Sequence, residues 1–295
     1  LSSAVANAAT GSNFTGAEYK IIIDGSPCDG NTDYSASLPS YDDPGFAHGN
    51  SYRICAKLDD GGSNPNAYGT SDTFIIDTEV PSFTSLPLSP DSSDGYLNST
   101  DATLGTPTST GVDGAGFDTA EYKIVIAGAA CDGDTGYGVI PNHDNAGFVH
   151  GVTYDLCVKL TDTAGNPAVY GVPPSSIVVD TVAPVFTSLP LSGETADGYL
   201  IKAEAELTSA TTSGVVGTDY DTAEYKIVVD GASCDGSLGY GTVPKHNNSG
   251  FVDSGSFDLC VKLTDNAGNA PAYGTSTGVI VVDTSLPTFT SMALS

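Results

Sequence analysis

Ala17-Glu18-Tyr19-Lys20-Ile21-Ile22-Ile23 returns as Ala120-Glu121-Tyr122-Lys123-Ile124-Val125-Ile126, and again as Ala223-Glu224-Tyr225-Lys226-Ile227-Val228-Val229. In the second occurrence Tyr122, Ile124 and Ile126 alternate with Glu121 and Lys123, the two-residue period of a strand with one face in a core. The recurrence extends outward from this strand. Cys28, Cys131 and Cys234 follow one another at steps of 103 residues, as do Asp77, Asp180 and Asp283, which open the Asp-Thr-x-x-Pro segments. A period of about 100 residues, made of short strands between turn signals, is too long for a solenoid unit and fits an antiparallel sandwich. The predicted organisation is three copies, at residues 1–80, 81–183 and 184–286, with a tail at 287–295.

Other strands are legible inside a copy. Tyr154, Leu156, Val158 and Leu160 alternate with Asp155, Cys157 and Lys159; Ile177-Val178-Val179 reads as a short closing strand. Phe186, Leu189 and Leu191 belong to an opening strand, and Pro190 places it at a sheet edge because it has no amide hydrogen to donate. No window shows a sustained helical period, and no apolar run reaches the ~18 residues that a membrane helix needs. The chain has nine Lys and Arg against 36 Asp and Glu, a formal charge of −27. That balance argues against nucleic acid or an anionic membrane as partner, since both require basic patches. It leaves two readings open, divalent cations held at an acidic surface or an exported array kept soluble by its charge.

Three segments carry a resemblance. Asp162-Thr163-Ala164-Gly165-Asn166, then Val178-Val179-Asp180-Thr181-Val182-Ala183-Pro184, then Asp197-Gly198-Tyr199-Leu200 with Glu204, occur in the order seen in tandem bacterial Ig-like domains. All three copies resemble that family, which is found in large extracellular surface adhesins and fibres. The resemblance implies an all-β chain of immunoglobulin-like antiparallel β-sandwich domains, seven strands each, stacked end to end. It also implies a stalk or fibre role, with calcium often bound at domain junctions. The chain departs from the family in carrying a cysteine pair per copy, and in reading Asp60-Gly61-Gly62-Ser63-Asn64 in the first copy.

The six cysteines fall as Cys28 with Cys55, Cys131 with Cys157 and Cys234 with Cys260. Pairing within each copy is the simplest arrangement and places the chain in an oxidising compartment, outside the cell. Because Cys55 alternates with Tyr52, Ile54 and Leu58, the bridge is expected on the outer face of a sheet, away from the core. The absence of any Cys-x-x-Cys disfavours zinc.

Calcium is the expected occupant of any metal site, since a hard cation takes six to eight oxygens from carboxylates, Asn and carbonyls. The end of one copy would bring Asp77 near Asp118, Asp162 and Asn166, and the next junction would gather Asp180, Asp221, Asp265 and Asn269. The alternative is that these residues cap their own turns. His48 and His150 are equivalent and read as loop histidines, with no counterpart in the third copy. No nucleophile elbow, zinc-protease motif or phosphate loop is present, so the chain is not expected to be an enzyme, and beyond possible calcium no cofactor is expected.

The ends fall out of phase. Leu1 aligns with Leu104 and Leu207, and Ser295 with Ser89 and Ser192, so Pro90–Thr103 and Gly193–Glu206 have no first-copy counterpart. Copy one therefore begins at its second strand, while Pro287–Leu294 is an opening strand with no domain after it; Phe289 matches Phe83 and Phe186, and Met292 matches Leu86 and Leu189. Two readings follow. The tail, through Phe289, Met292 and Leu294, completes copy one of another molecule and so forms a head-to-tail polymer. Alternatively, the chain is a window from a longer array whose neighbouring copies supply the strand. A structural fibre or stalk is favoured over a glycan- or protein-binding adhesive module, because the chain has no Trp to form a sugar platform and its copies stay alike.

Overall fold

The computed structural model describes residues 3–236 and 238–292. It is all-β apart from two single-turn 3-10 helices, Pro90–Ser92 and Asp101–Thr103, and its sheets have the tandem immunoglobulin-like sandwich arrangement. Among the described residues no helix is long and apolar enough to cross a membrane. The chain gathers into two compact units. One comprises Leu1–Ser85, Val112–Glu121 and Val158–Gly171; the other comprises Leu86–Gly111, Tyr122–Cys157 and Val172–Ser295. The dividing line runs through the second repeat.

In the first unit, Gly16–Ile23 pairs antiparallel with Ser51–Asp59 along its whole length, from Gly16 opposite Asp59 to Ile23 opposite Tyr52. Ala67–Thr70 and Phe74–Ile75 share the other edge of Ser51–Asp59. Alternation decides the face: Tyr19, Tyr52 and Ile54 turn inward and are buried. The same unit holds a small two-stranded sheet, Ser82–Ser85 against Asp113–Ala115, and the pairing of Val169–Gly171 with Leu160, Lys159 and Val158.

The third repeat lies wholly in the second unit and shows the full design of seven strands. Thr222–Val229 pairs with Ser256–Thr264, whose far edge takes Ala272–Thr275 and then Ile280–Asp283. Val185–Ser188 and Val216–Thr218 form the small sheet. Leu189, Tyr225, Leu259, Val261 and Leu263 make one core cluster, and Leu200, Phe257, Ile280 and Val282 a second. The sheets are not purely antiparallel as expected. Tyr199–Ile201 runs parallel to Ile280–Asp283, and Tyr96–Leu97 runs parallel to Val178 and Val179 in the second repeat. Both strands arrive by long loops from the opening strand, so neither is bound to hairpin geometry.

Disulfides join Cys28 to Cys55, Cys131 to Cys157 and Cys234 to Cys260. Their location differs from the expected exposed outer face, since Cys55, Cys157 and Cys260 are fully buried. The loop bearing the partner cysteine folds over that face and brings a tyrosine with it. The Tyr137 hydroxyl donates to the Cys131 carbonyl at 3.0 Å, and Tyr240 donates likewise to Cys234. Lys20, Lys123 and Lys226 sit over the rings of Tyr34, Tyr137 and Tyr240 at 4.6, 4.3 and 4.5 Å, each also donating to a loop carbonyl. Burial, with Tyr273 close by, pushes the Tyr240 phenol up to about 12, so it stays a neutral donor. Replacing Cys234 and Cys260 together by Ala is expected to cost about 3 kcal/mol of stability, because each bridge closes a loop of 26 or 27 residues. Denaturant unfolding of the variant against the parent measures it.

Candidate functional site

Tyr68-Gly69, Tyr170-Gly171 and Tyr273-Gly274 are equivalent dipeptides on the strand that follows the long hairpin. In the second and third repeats the glycine is covered. A side-chain carbon built on Gly171 would fall inside the Phe83 ring, and one on Gly274 inside the Phe186 ring. The opening strand therefore lays an aromatic ring flat on bare backbone, which only glycine permits. Three residues further on, Leu86 and Leu189 are fully buried.

The first repeat has the same floor without the cover. Nothing lies within 4 Å of a carbon built on Gly69. An open cleft there is lined by Tyr19, Ile54, Leu58 and Tyr68 and also by residues 6–10, of which the Ala9 amide donates to the Tyr19 hydroxyl at 3.0 Å. Ala67–Thr70 is exposed throughout, whereas Gly171 and Gly274 are buried in their strands. Leu58 is only half-buried, although its counterparts Leu160 and Leu263 are buried completely. In the second unit, the residues that match the covering strand lie open: Phe289 is 80% exposed and Met292 77%. Pro287–Met292 belongs to no strand, and Leu294 lies outside the described residues.

The repeat junctions form a second constellation. Asp162 Oδ1 accepts from the Gly165 and Asn166 amides, and Oδ2 accepts from Asn166 Nδ2 at 2.9 Å. That same Nδ2 faces the Asp77 and Glu79 carbonyls at 3.3 and 3.1 Å. Gly165 makes the turn possible by taking φ +83. In the other unit, Asn269 Nδ2 faces the Asp180 and Val182 carbonyls at 2.9 and 3.4 Å and Asp265 Oδ2 at 2.9 Å. Here the loop of the preceding repeat also engages: Ser99 N–H donates to Asn269 Oδ1, and Asn98 Nδ2 donates to the Ala267 carbonyl. Asp118 accepts from the Thr163 amide and hydroxyl, and Asp221 from the Asn266 amide.

Each strand end beneath these turns is clipped. The Thr78 amide donates to His48 Nδ1, and the Thr181 amide to His150 Nδ1, both at 3.1 Å. The third repeat does have a counterpart, which is Asp253: it accepts from the Thr284 amide and from the Thr284 and Ser285 hydroxyls. These hydrogen bonds, the Ser285 one first, hold the Asp253 carboxyl below the usual carboxylate range. Change of residue type hid this equivalence in the sequence. His143 and His246 are fully buried, bridging Ser89 to Thr106 and Ser192 to Ser209.

At both junctions a carboxylate oxygen and two backbone carbonyls surround one asparagine amide, which here presents its NH2 to them. The Asp77 and Asp180 carboxylates turn back to cap the Glu79 and Val182 amides. Among the described residues no group of three or more His, Cys, Asp or Glu is placed to hold a metal ion. The NH2 group, with its partly positive hydrogens, occupies the centre of the carbonyls.

No family model matches the chain, and no curated relative matches it. Several solved structures match it weakly. One is the four-domain EC3–6 cis-dimer of protocadherin gammaB7, 16% identical over 90% of this chain and 68% of that one, TM-score 0.31. Another is a 1.5-MDa bacterial ice-binding adhesin, 16% identical over 94% and 89%, TM-score 0.34. A third is the FN1–FN3 segment of chicken CNTN1, 10% identical over 92% and 90%, TM-score 0.28. These likenesses are weak and concern the fold alone; what the chain does has to be read from its own residues.

Gly69→Ala is expected to leave stability within about 1 kcal/mol, whereas Gly171→Ala and Gly274→Ala displace an aromatic ring and cost several times that. Thermal unfolding of the three variants tests the contrast. Acid is expected to loosen the turns. The Asn166 amide first among its partners holds the Asp162 carboxyl below its ordinary 3.8, and Asn64 does the same for Asp60. A depressed folded value means the contribution is complete above the unfolded pKa and fades as pH falls through the folded one. Amide exchange at Gly165 and Asn166 should therefore accelerate only below about pH 4.

Proposed function

We propose that the chain is a non-catalytic structural subunit of an extracellular bacterial surface fibre or stalk, and that its open first repeat is completed by the Pro287–Leu294 strand of a neighbouring molecule. The observation that carries this is the match between Gly69 and Phe289. The chain contains two glycines with an aromatic ring laid on them, one such glycine uncovered, and one such aromatic left exposed. Burying Phe289, Met292 and Leu294 in the cleft would contribute roughly 1.5–3 kcal/mol each. In the other repeats the opening strand pairs with Asp113–Ala115 or Val216–Thr218, and residues 10–12 hold the equivalent place in the first repeat. A donor at one end and an acceptor at the other is a heterologous contact, and repeating it gives a filament.

The disulfides support a place outside the cytosol, where thiols oxidise. A charge of −27 keeps such an assembly dispersed without a partner of opposite sign. The bacterial surface assignment follows the resemblance of the Asp-x-Ala-Gly-Asn and Asp-Thr-x-x-Pro segments to adhesin repeats.

Light scattering and negative-stain microscopy on the 295-residue chain, on a version ending at Leu286 and on Phe289→Ala test the proposal. Polymers are expected from the parent, none from the shortened chain, and at least tenfold weaker assembly from F289A. Parent molecules that remain monomeric at high micromolar concentration would overturn it and mark the cleft as one filled from within a longer chain.

A further inference from the structure

We infer that the joint between two such molecules is locked by a second contact, in which the Asp60–Asn64 turn of the acceptor seats on the Asp283 and Ser285 carbonyls of the donor, with Lys202 facing Asp59 and Asp60. This inference rests on the strand-completion reading above. It adds a separate surface, with its own residues and its own readout.

The chain contains two worked examples of the joint. Wherever an opening strand leaves one repeat to complete the next, the asparagine ending the Asp-x-Ala-Gly-Asn turn donates to two carbonyls at the strand's root. Asn166 donates to Asp77 and Glu79, and Asn269 to Asp180 and Val182. By the same register, the next pair of carbonyls is Asp283 and Ser285.

The third repeat holds that pair ready. Asp283 is fixed by parallel pairing with Ile201, and Asp253 grips the Thr284 amide and both hydroxyls of Thr284 and Ser285. An open cleft lies beside them, lined by Ile201, Lys202, Ala203, Glu206, Asp283 and Leu286. Leu286 is 67% exposed and Ile201 49%. The position of Lys202 is the one where Ser99 reaches the Asn269 turn in the second repeat.

The complementary turn is free at the first repeat. Asp60 Oδ2 accepts from Asn64 Nδ2 at 2.6 Å, so the Asp–Asn pair of the other two turns is kept. Its winding differs, because Ser63 stands where Gly165 and Gly268 take positive φ, and Gly61 takes φ +72 instead. Asn64 and Ser63 are exposed. Charge selects this occupant. The chain has only nine basic residues, and one of them, Lys202, sits on the rim of this cleft. Asp59 and Asp60 are adjacent on the turn that would meet it. Glu206 lies on the same rim and opposes them, so the net attraction is expected to be modest and sensitive to salt.

The test uses full-length polymers, diluted, with dissociation followed by light scattering for the parent, Asn64→Ala and Lys202→Glu. Folding of each variant is checked by thermal unfolding of the same substitution in the chain ending at Leu286, which lacks the tail needed to polymerise. Both variants are expected to polymerise and then to dissociate roughly five- to tenfold faster than the parent. The K202E penalty should shrink at high salt, and the N64A penalty should not. A double variant, Asn64→Cys with Ser285→Cys, is expected to give a covalent ladder on a non-reducing gel. Polymers whose dissociation is unchanged in N64A, with no ladder from the double variant, would overturn the lock while leaving strand completion standing. A parent that forms no polymers would overturn both.

Discussion

An aromatic ring resting on a glycine holds each completed repeat together. The large sheet presents one apolar face, built from Tyr225, Leu259, Val261 and Leu263 in the third repeat, and the small sheet must cover it. Phe186 does so by lying on Gly274, with Leu189 buried beyond it. Since the covering strand enters directly from the preceding repeat, fold and connectivity are the same constraint. In the second and third repeats the covering residues come from upstream of the repeat's own hairpin.

The same geometry explains the turns. Once the opening strand crosses into the next sandwich, the carbonyls at its root have left one sheet and not yet joined another. Buried or half-buried carbonyls need donors. Asn166 and Asn269 provide them, and their aspartate partners hold the amide in the one orientation that places NH2 toward all acceptors. At both junctions the side-chain amide faces those carbonyls, and the neighbouring carboxylates cap turn amides.

Much of this was legible in the sequence. Strict recurrence of the Ala-Glu-Tyr-Lys strand, the cysteines and the Asp-Thr-x-x-Pro segments determined the repeat, the β class and the phase of the ends. Period-2 alternation named Tyr122, Tyr154, Leu156, Val158 and Leu160 as inward correctly, because a strand's two faces follow from the backbone alone. It also placed Ile126 there, which stands 66% exposed at the end of its strand. It misplaced Cys55, Cys157 and Cys260. Alternation says which way a side chain points from its own sheet; it does not say that a distant loop will fold over that side. His48, His150 and Asp253 were separated for a similar reason, since two residue types supply one acceptor to one amide.

By itself, then, the sequence determined the long central strands of each copy, how often the unit recurs and which cysteines belong together. Those properties are local or periodic, and a linear pattern carries them. Pro287–Met292, expected as a strand, belongs to none, and the opening strand stops at Ser188. The tertiary structure alone decided that Gly171 and Gly274 lie under aromatic rings while Gly69 does not, and that the junction aspartates cap turn amides beside an asparagine amide that faces two carbonyls. Each depends on which atoms from separate strands arrive within hydrogen-bonding or van der Waals distance, and that arrival is set by packing across the fold, not by order along the chain.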